Sequence, residues 1–236
     1  YQKSKYVQNY IGMAFRAIKK DLQAGLQVLF CGTPCQAAGL RSYLGGAYAN
    51  LIVADFVCHG VPSMSLLQLH LEHLDIKDVK KIDFRPKNSG WVDDLEIYFF
   101  KKKSAKPTDV RLRRTPWGFD EYFFLFQTEK STRRSCRSCH YCNGLRASDI
   151  TLADFWGIHK YKPEEYDPKG MSLVLSNTNV GDALFAGLSQ RDDVVVKPLP
   201  LEYATYVYER DRSHPDSPYQ NGVRDQFLAA VYSLGY

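Results

Sequence analysis

Apolar positions along this chain follow a helical rhythm and a strand rhythm in alternation. Val7, Ile11, Phe15, Ile18 and Leu22 recur at three- and four-residue steps, which predicts an amphipathic helix stopped at Gly25. Leu26 to Phe30 is a short apolar run that ends in Cys31-Gly32-Thr33-Pro34-Cys35, and a helix from about Gln36 to Leu44 closes at Gly45-Gly46. Leu51 to Val57 is a second run, ending in Cys58-His59-Gly60-Val61-Pro62; Ser63 then caps a helix with Leu67, Leu71 and Leu74 on one face. Two successive strand, loop and helix units predict an α/β fold, a mixed sheet with flanking helices. Beyond these two units the chain has no internal repeat.

From Val79 the pattern changes to longer alternating runs, Val79 to Phe84, Gly90 to Phe100 and Val110 to Arg114, which predict an antiparallel excursion. Lys101, Lys102, Lys103 and Lys106 suit its solvated hairpin end. Trp117 to Phe126 is aromatic throughout and belongs in a core or in the wall of a cofactor pocket. Asp149 to Trp156, ended by Gly157, reads as a strand whose polar residues need partners if it is central. A turn at Lys169-Gly170 leads to a strand over Leu173 to Thr178, then to a helix over Gly181 to Leu188. The tail predicts a strand at Val194 to Val196, a polar connection through Pro215 and Pro218, and a closing helix with Val223, Phe227, Val231 and Leu234 in register.

Composition narrows the function. At 236 residues and 44% hydrophobic, the chain can bury a full core, and it is read as a single domain. A formal charge of +5 suits acidic partner proteins or phosphate-bearing cofactors and is too small to argue for nucleic acid. No apolar run approaches membrane length. Six cysteines gathered in motifs, rather than spread as a disulfide framework, point to a reducing cytoplasm. A chain that opens on Tyr1 instead of Met is read as a piece of a longer one.

The chemistry concentrates between Ser131 and Ile158. Cys136, Cys139 and Cys142 fall within seven residues at two successive Cys-x-x-Cys spacings, and Arg133, Arg134 and Arg137 lie beside them. Thiolates on so tight a loop can converge on one soft metal, and cationic neighbours favour the thiolate form. Cys31, Cys35 and Cys58 stand upstream at strand ends, where ligand-binding loops of open α/β sheets gather, and can supply a fourth sulfur. Three readings follow. The thiols hold an electron-transfer cluster; or Cys136, Cys139, Cys142 and one upstream thiol hold structural zinc; or Cys35 is a nucleophile activated at a helix N-terminus. His59 is an acid or base or a hydrogen-bonded turn residue, and His70 and His73 are as readily solvated helix residues as metal ligands. Arg85 and Lys87, near Trp91, suit a phosphate or a flavin ring, or a plain turn with a packed Trp, and Lys169 and Ser172 could hold phosphate.

The motifs Leu29-Phe30-Cys31-Gly32-Thr33-Pro34-Cys35-Gln36, Asp55-Phe56-Val57-Cys58-His59-Gly60-Val61-Pro62-Ser63, Phe84-Arg85-x-Lys87, Cys136-x-x-Cys139, Arg146-x-x-Asp149-Ile150 and Asp154-Phe155-Trp156-Gly157 together closely resemble the C-terminal region of coenzyme F420 hydrogenase/dehydrogenase beta subunits. The resemblance runs from about Tyr6 to Asn177. It implies an oxidoreductase that carries FAD and a 4Fe-4S cluster and passes electrons between them. It also implies a ferredoxin-type electron donor or acceptor, either a separate protein or a preceding module, because no ferredoxin cysteines lie in this chain. By the resemblance the ligands are Cys35, Cys58, Cys136 and Cys139, with Cys142 in reserve, although spacing alone prefers Cys142 to Cys58. Cys31 stands where the family commonly has another residue. No Gly-x-Gly-x-x-Gly fingerprint is present, so the residues offered to the implied FAD are Thr33, Arg85, Lys87, Lys169 and Ser172. No residue is assigned to the deazaflavin.

Overall fold

The computed structural model describes residues 5–77, 79–84, 96–101, 110–114, 120–141, 145–156 and 158–200. In chain order its elements are α1 (Ala14–Gln23), β1 (Val28–Cys31), α2 (Pro34–Leu44), β2 (Leu51–Phe56), α3 (Met64–His73), β3 (Val79–Phe84), β4 (Glu96–Lys101), β5 (Val110–Arg114), α4 (Glu121–Gln127), α5 (Arg134–Arg137), β6 (Ile150–Asp154), α6 (Ile158–Tyr161), β7 (Ser172–Ser176) and α7 (Asn179–Leu188). They form two sheets. One is four-stranded and mixed, in the order β1-β2-β6-β7, with β1, β2 and β6 parallel and β7 antiparallel to β6. The other is three-stranded and antiparallel, β3-β4-β5, and is the excursion that the alternating runs predict. The α/β class holds.

The first unit shows how local chemistry sets the boundaries. Pro34 stands in the first turn of α2, where its missing N–H costs nothing, and Gly45 ends the helix at φ 68°, a left-handed conformation that a β-carbon disfavours. The face of α1 and α2 that carries Leu22, Ala37, Leu40 and Leu44 buries Leu51 and Val53 of β2 in one core. A second core joins Leu67, Ile76, Phe84 and Tyr122, and a third gathers Phe155, Ile158 and Leu173. Tyr122, Phe123 and Phe126 are buried, so the described part of the aromatic run is core, now as a helix.

Three expectations are corrected. The first helix does not reach back to Val7; Gly12 turns at φ 53°, and α1 starts at Ala14, leaving residues 5–13 as an irregular segment that packs Tyr6 against Phe126 at 4.5 Å. Val194 to Val196 form no strand: three β-branched residues have the propensity, yet no described strand pairs with them, and Val195 is 83% exposed. His70 is not solvated. It is buried with Nε2 2.9 Å from Asp120 Oδ2, because α3 packs against α4 and Asp120 caps the start of α4, accepting from Phe123 N at 2.8 Å. Trp91, Lys102, Lys103, Lys106, Trp117, Gly157 and the closing helix around Val223 to Leu234 lie outside the described residues. Among the described residues no helix is long and apolar enough to cross a membrane.

Candidate functional site

Three cysteine-bearing segments meet at one end of the mixed sheet. β1 and β2 run parallel with Cys31 opposite Ala54, and Gly32 N donates to Ala54 O at 3.2 Å, so the loops starting at Cys31 and following Phe56 leave from neighbouring carboxyl ends. The second loop touches the third segment directly. Pro62 bridges Thr132, and Arg133 N donates to Val61 O at 3.0 Å just before α5. Gly60 makes the approach possible: it sits at φ 85°, and a β-carbon there would stand 2.9 Å from Thr132 Cγ2 and 3.2 Å from Cys136 Cβ.

The irregular segment before α1 ties these pieces together. Gln8 N donates to Pro62 O at 3.3 Å, the Gln8 side chain accepts from Arg133 Nη1, and Asn9 Oδ1 accepts from Gln36 Nε2 at 2.8 Å. Gln8 and Asn9 therefore hold all three cysteine segments. A helical reading of the stripe hides this role, since no local pattern marks a contact between residues 27 or 125 apart.

The five described cysteines carry thiols; Cys31 and Cys35 are exposed, and Cys58, Cys136 and Cys139 are half-buried. Cys142 lies outside the described residues. Among the described residues no three Cys, His, Asp or Glu side chains already stand as a metal-binding group, so the segments are brought together without the sulfurs being closed on one point. Cys35 lies in the first turn of α2, where helix N–H groups lack intrahelical partners, and Thr33 Oγ1 is 3.1 Å from its Sγ. Cys31 differs. Although the residue as a whole is exposed, partial desolvation of its thiol, and then the Asp55 carboxylate, push its pKa above the ordinary cysteine value, which disfavours the thiolate.

Behind the loops lies a buried polar layer. Asp55 Oδ1 accepts from Thr151 Oγ1 at 2.6 Å, while Oδ2 is 3.9 Å from Arg146 Nη1. Asn177 Nδ2 donates to Thr151 Oγ1 at 2.9 Å and to Ser148 Oγ at 3.1 Å. Burial raises the Asp55 pKa, opposed in turn by Thr151, Arg146 and Ser148. Asp149 is a joint: Oδ2 accepts from Val53 N and from Arg41 Nη2, each at 2.8 Å, and Oδ1 accepts from Thr178 Oγ1 at 2.9 Å. Asp149 and Thr151, at the start of the predicted strand, thus have partners. Sequence reasoning misses the roles of Asp55, Arg41 and Asn177, and the signal it had was an Asp inside the apolar run Leu51 to Val57.

The flavin candidates are more scattered. Arg85 and Lys87 lie outside the described residues. Ser172, exposed, opens β7 opposite Asp154, and β7 is antiparallel, so it stands at the same sheet end as the cysteine loops, two strand spacings or about 10 Å from β2. Lys169 is exposed in the preceding turn, its N–H donating to Asp167 Oδ1 at 2.8 Å. Thr33 is beside Cys35.

No match is found among curated proteins. Among solved structures, the chain is similar to one in the F420-reducing NiFe hydrogenase complex from Methanosarcina barkeri, at 15% identity and a TM-score of 0.48, covering 98% of this chain and 69% of that one. Residues 25–201 match the family described as the C terminus of the beta subunit of coenzyme F420 hydrogenase/dehydrogenase, and that span contains every cysteine segment of the site. The chain belongs to that family.

Proposed function

We propose that the chain is an electron-transferring oxidoreductase in which a 4Fe-4S cluster, held by Cys35, Cys58, Cys136 and Cys139, works beside FAD, with a ferredoxin-type protein or module as electron donor or acceptor. The observation that carries this reading is the meeting of three cysteine-bearing segments at one sheet end, with Gly60 lying against Cys136 and the Gln8-Asn9 clasp across them. The donor set fits a soft, thiolate-bound centre: four accessible or half-buried sulfurs, one of them at a helix start, with Arg133 and Arg134 adjacent. When bound, the cluster supplies single electrons and the flavin a two-electron hydride step.

The chain's own residues hold the loops and position the ligands. Cys31 is left out of the set because it stands where the family commonly has another residue, and the raised pKa of its thiol agrees with that choice. Lys169 and Ser172, with Arg85 and Lys87, are proposed to meet the flavin's phosphates. Anaerobic purification tests the reading. Brown protein with iron and acid-labile sulfide supports it, and colourless protein with stoichiometric zinc would establish the structural-metal reading instead. Cys139→Ser is expected to lose iron, since a lost ligand leaves sulfur and charge unsatisfied. Cys31→Ala should keep it. Loss of iron in Cys142→Ala with retention in Cys58→Ala would exchange those two ligands.

A further inference from the structure

We infer that the Thr33 hydroxyl is a hydrogen-bond donor to the Cys35 sulfur that positions this ligand and raises the reduction potential of the metal centre, rather than a contact to the flavin. This rests on the cluster reading above. Thr33 Oγ1 lies 3.1 Å from Cys35 Sγ. The surrounding backbone is fixed: Thr33 N donates to Gln36 Oε1 at 3.0 Å, Gln36 is itself held by Asn9, and Pro34 follows at the helix start. A β-branched side chain on a fixed backbone has few χ1 choices, so the hydroxyl stays near the sulfur.

In the free thiol either atom can donate. A sulfur that ligates metal has lost its proton, so only the hydroxyl can donate, and the contact becomes a charge-assisted O–H···S bond. A centre bound there would take one electron from a ferredoxin-type donor on reduction, with more negative charge at its sulfurs. Thr33 keeps its O–H bond throughout, transfers no proton, and favours the more negative state, which shifts the potential upward.

The test uses the full chain purified anaerobically as wild type, Thr33→Val, Thr33→Ala and Thr33→Ser, with iron and sulfide assays, dye-mediated potentiometry followed by spectroscopy, and FAD titration. Thr33→Val and Thr33→Ala are expected to retain iron and to lower the one-electron reduction constant about tenfold, a fall of about 59 mV. Thr33→Ser should restore the wild-type potential, and FAD affinity should stay within about twofold in all variants, where a tenfold loss would be a displacement of about one decade in Kd. Wild-type potential in an iron-replete Thr33→Val protein overturns the inference. So does a tenfold loss of FAD affinity with the potential unmoved, which returns Thr33 to the flavin. Loss of iron in both Val and Ala variants with retention in Ser supports a hydroxyl required at the ligand. Wild-type protein without iron or sulfide removes the cluster reading itself, and the inference with it.

Discussion

Asp149 accepts from three donors on three parts of the fold, Val53 of β2, Arg41 of α2 and Thr178 at the cap of α7, and is buried. Replacing it by Ala strands a buried backbone N–H and leaves the half-exposed Arg41 without its partner. A loss of about 3 kcal/mol in urea unfolding is expected, against about half that for Asp149→Asn, which keeps an acceptor. Equal stability of the Ala variant and wild type would remove the joint. Asp55 answers to pH. Its carboxyl is raised above 3.8 by burial, so the native state holds this proton more tightly than the unfolded chain. Its contribution is therefore most favourable below about pH 4 and is lost as pH rises from there through the raised native value. Asp55→Asn, with no proton to lose, should flatten stability over that window and gain on wild type above it. Parallel curves of wild type and variant from pH 4 upward would contradict the assignment. Both aspartates are visible in the sequence, yet Val53 and Arg41, which bind Asp149, and Thr151, which binds Asp55, lie 96 or more residues from them, beyond what a local pattern can specify.

At the scale of elements, turn chemistry was legible and assembly was not. Gly25 and Gly45 mark the ends of α1 and α2 where the sequence places them, because a left-handed residue after a helix is a local requirement. Gly60 shares that conformation, and its neighbours give it a second constraint. At Gly25, φ is 80° and a β-carbon would meet nothing within 4 Å; at Gly60, φ is 85° and the same atom would press on Thr132 and Cys136. Gly25→Ala therefore measures backbone strain alone, about 1 kcal/mol. Gly60→Ala should cost about 2 to 3 kcal/mol, the excess coming from separation of the two cysteine segments. If the proposed cluster is bound, iron content should fall in Gly60→Ala as well, while Gly25→Ala stays replete. Equal effects at the two positions would show that the segments do not depend on this contact. The stripe from Val7 to Leu22 misleads for a related reason: spacing records which side chains are buried, and Gly12 lets an irregular chain bury Tyr6 and Val7 against another core.

Over the whole molecule, two periodicities sufficed to expect a mixed sheet of strand, loop and helix units and an antiparallel excursion, because side-chain burial fixes both. Strand order came only with the structure. β6 lies beside β2 although 93 residues separate Phe56 from Ile150, and that adjacency carries the Lys169 turn to the sheet end where β1 and β2 release their cysteines, while the Pro62–Thr132 bridge brings in the Cys136 segment. Ser172 and Lys169, about two strand spacings from β2, are the described residues proposed to hold the flavin's phosphates. If those residues hold the phosphates, Lys169→Ala combined with Ser172→Ala should weaken FAD binding by about 2 to 4 kcal/mol, taking 1 to 2 for each contact to a charged group, and leave iron unchanged. Arg85→Ala combined with Lys87→Ala gives the parallel measurement for the proposed second pair. Weakening in one pair alone locates the phosphates on that side. Unaltered affinity in both removes all four residues from the flavin, and wild-type protein that takes up no FAD removes the flavin itself.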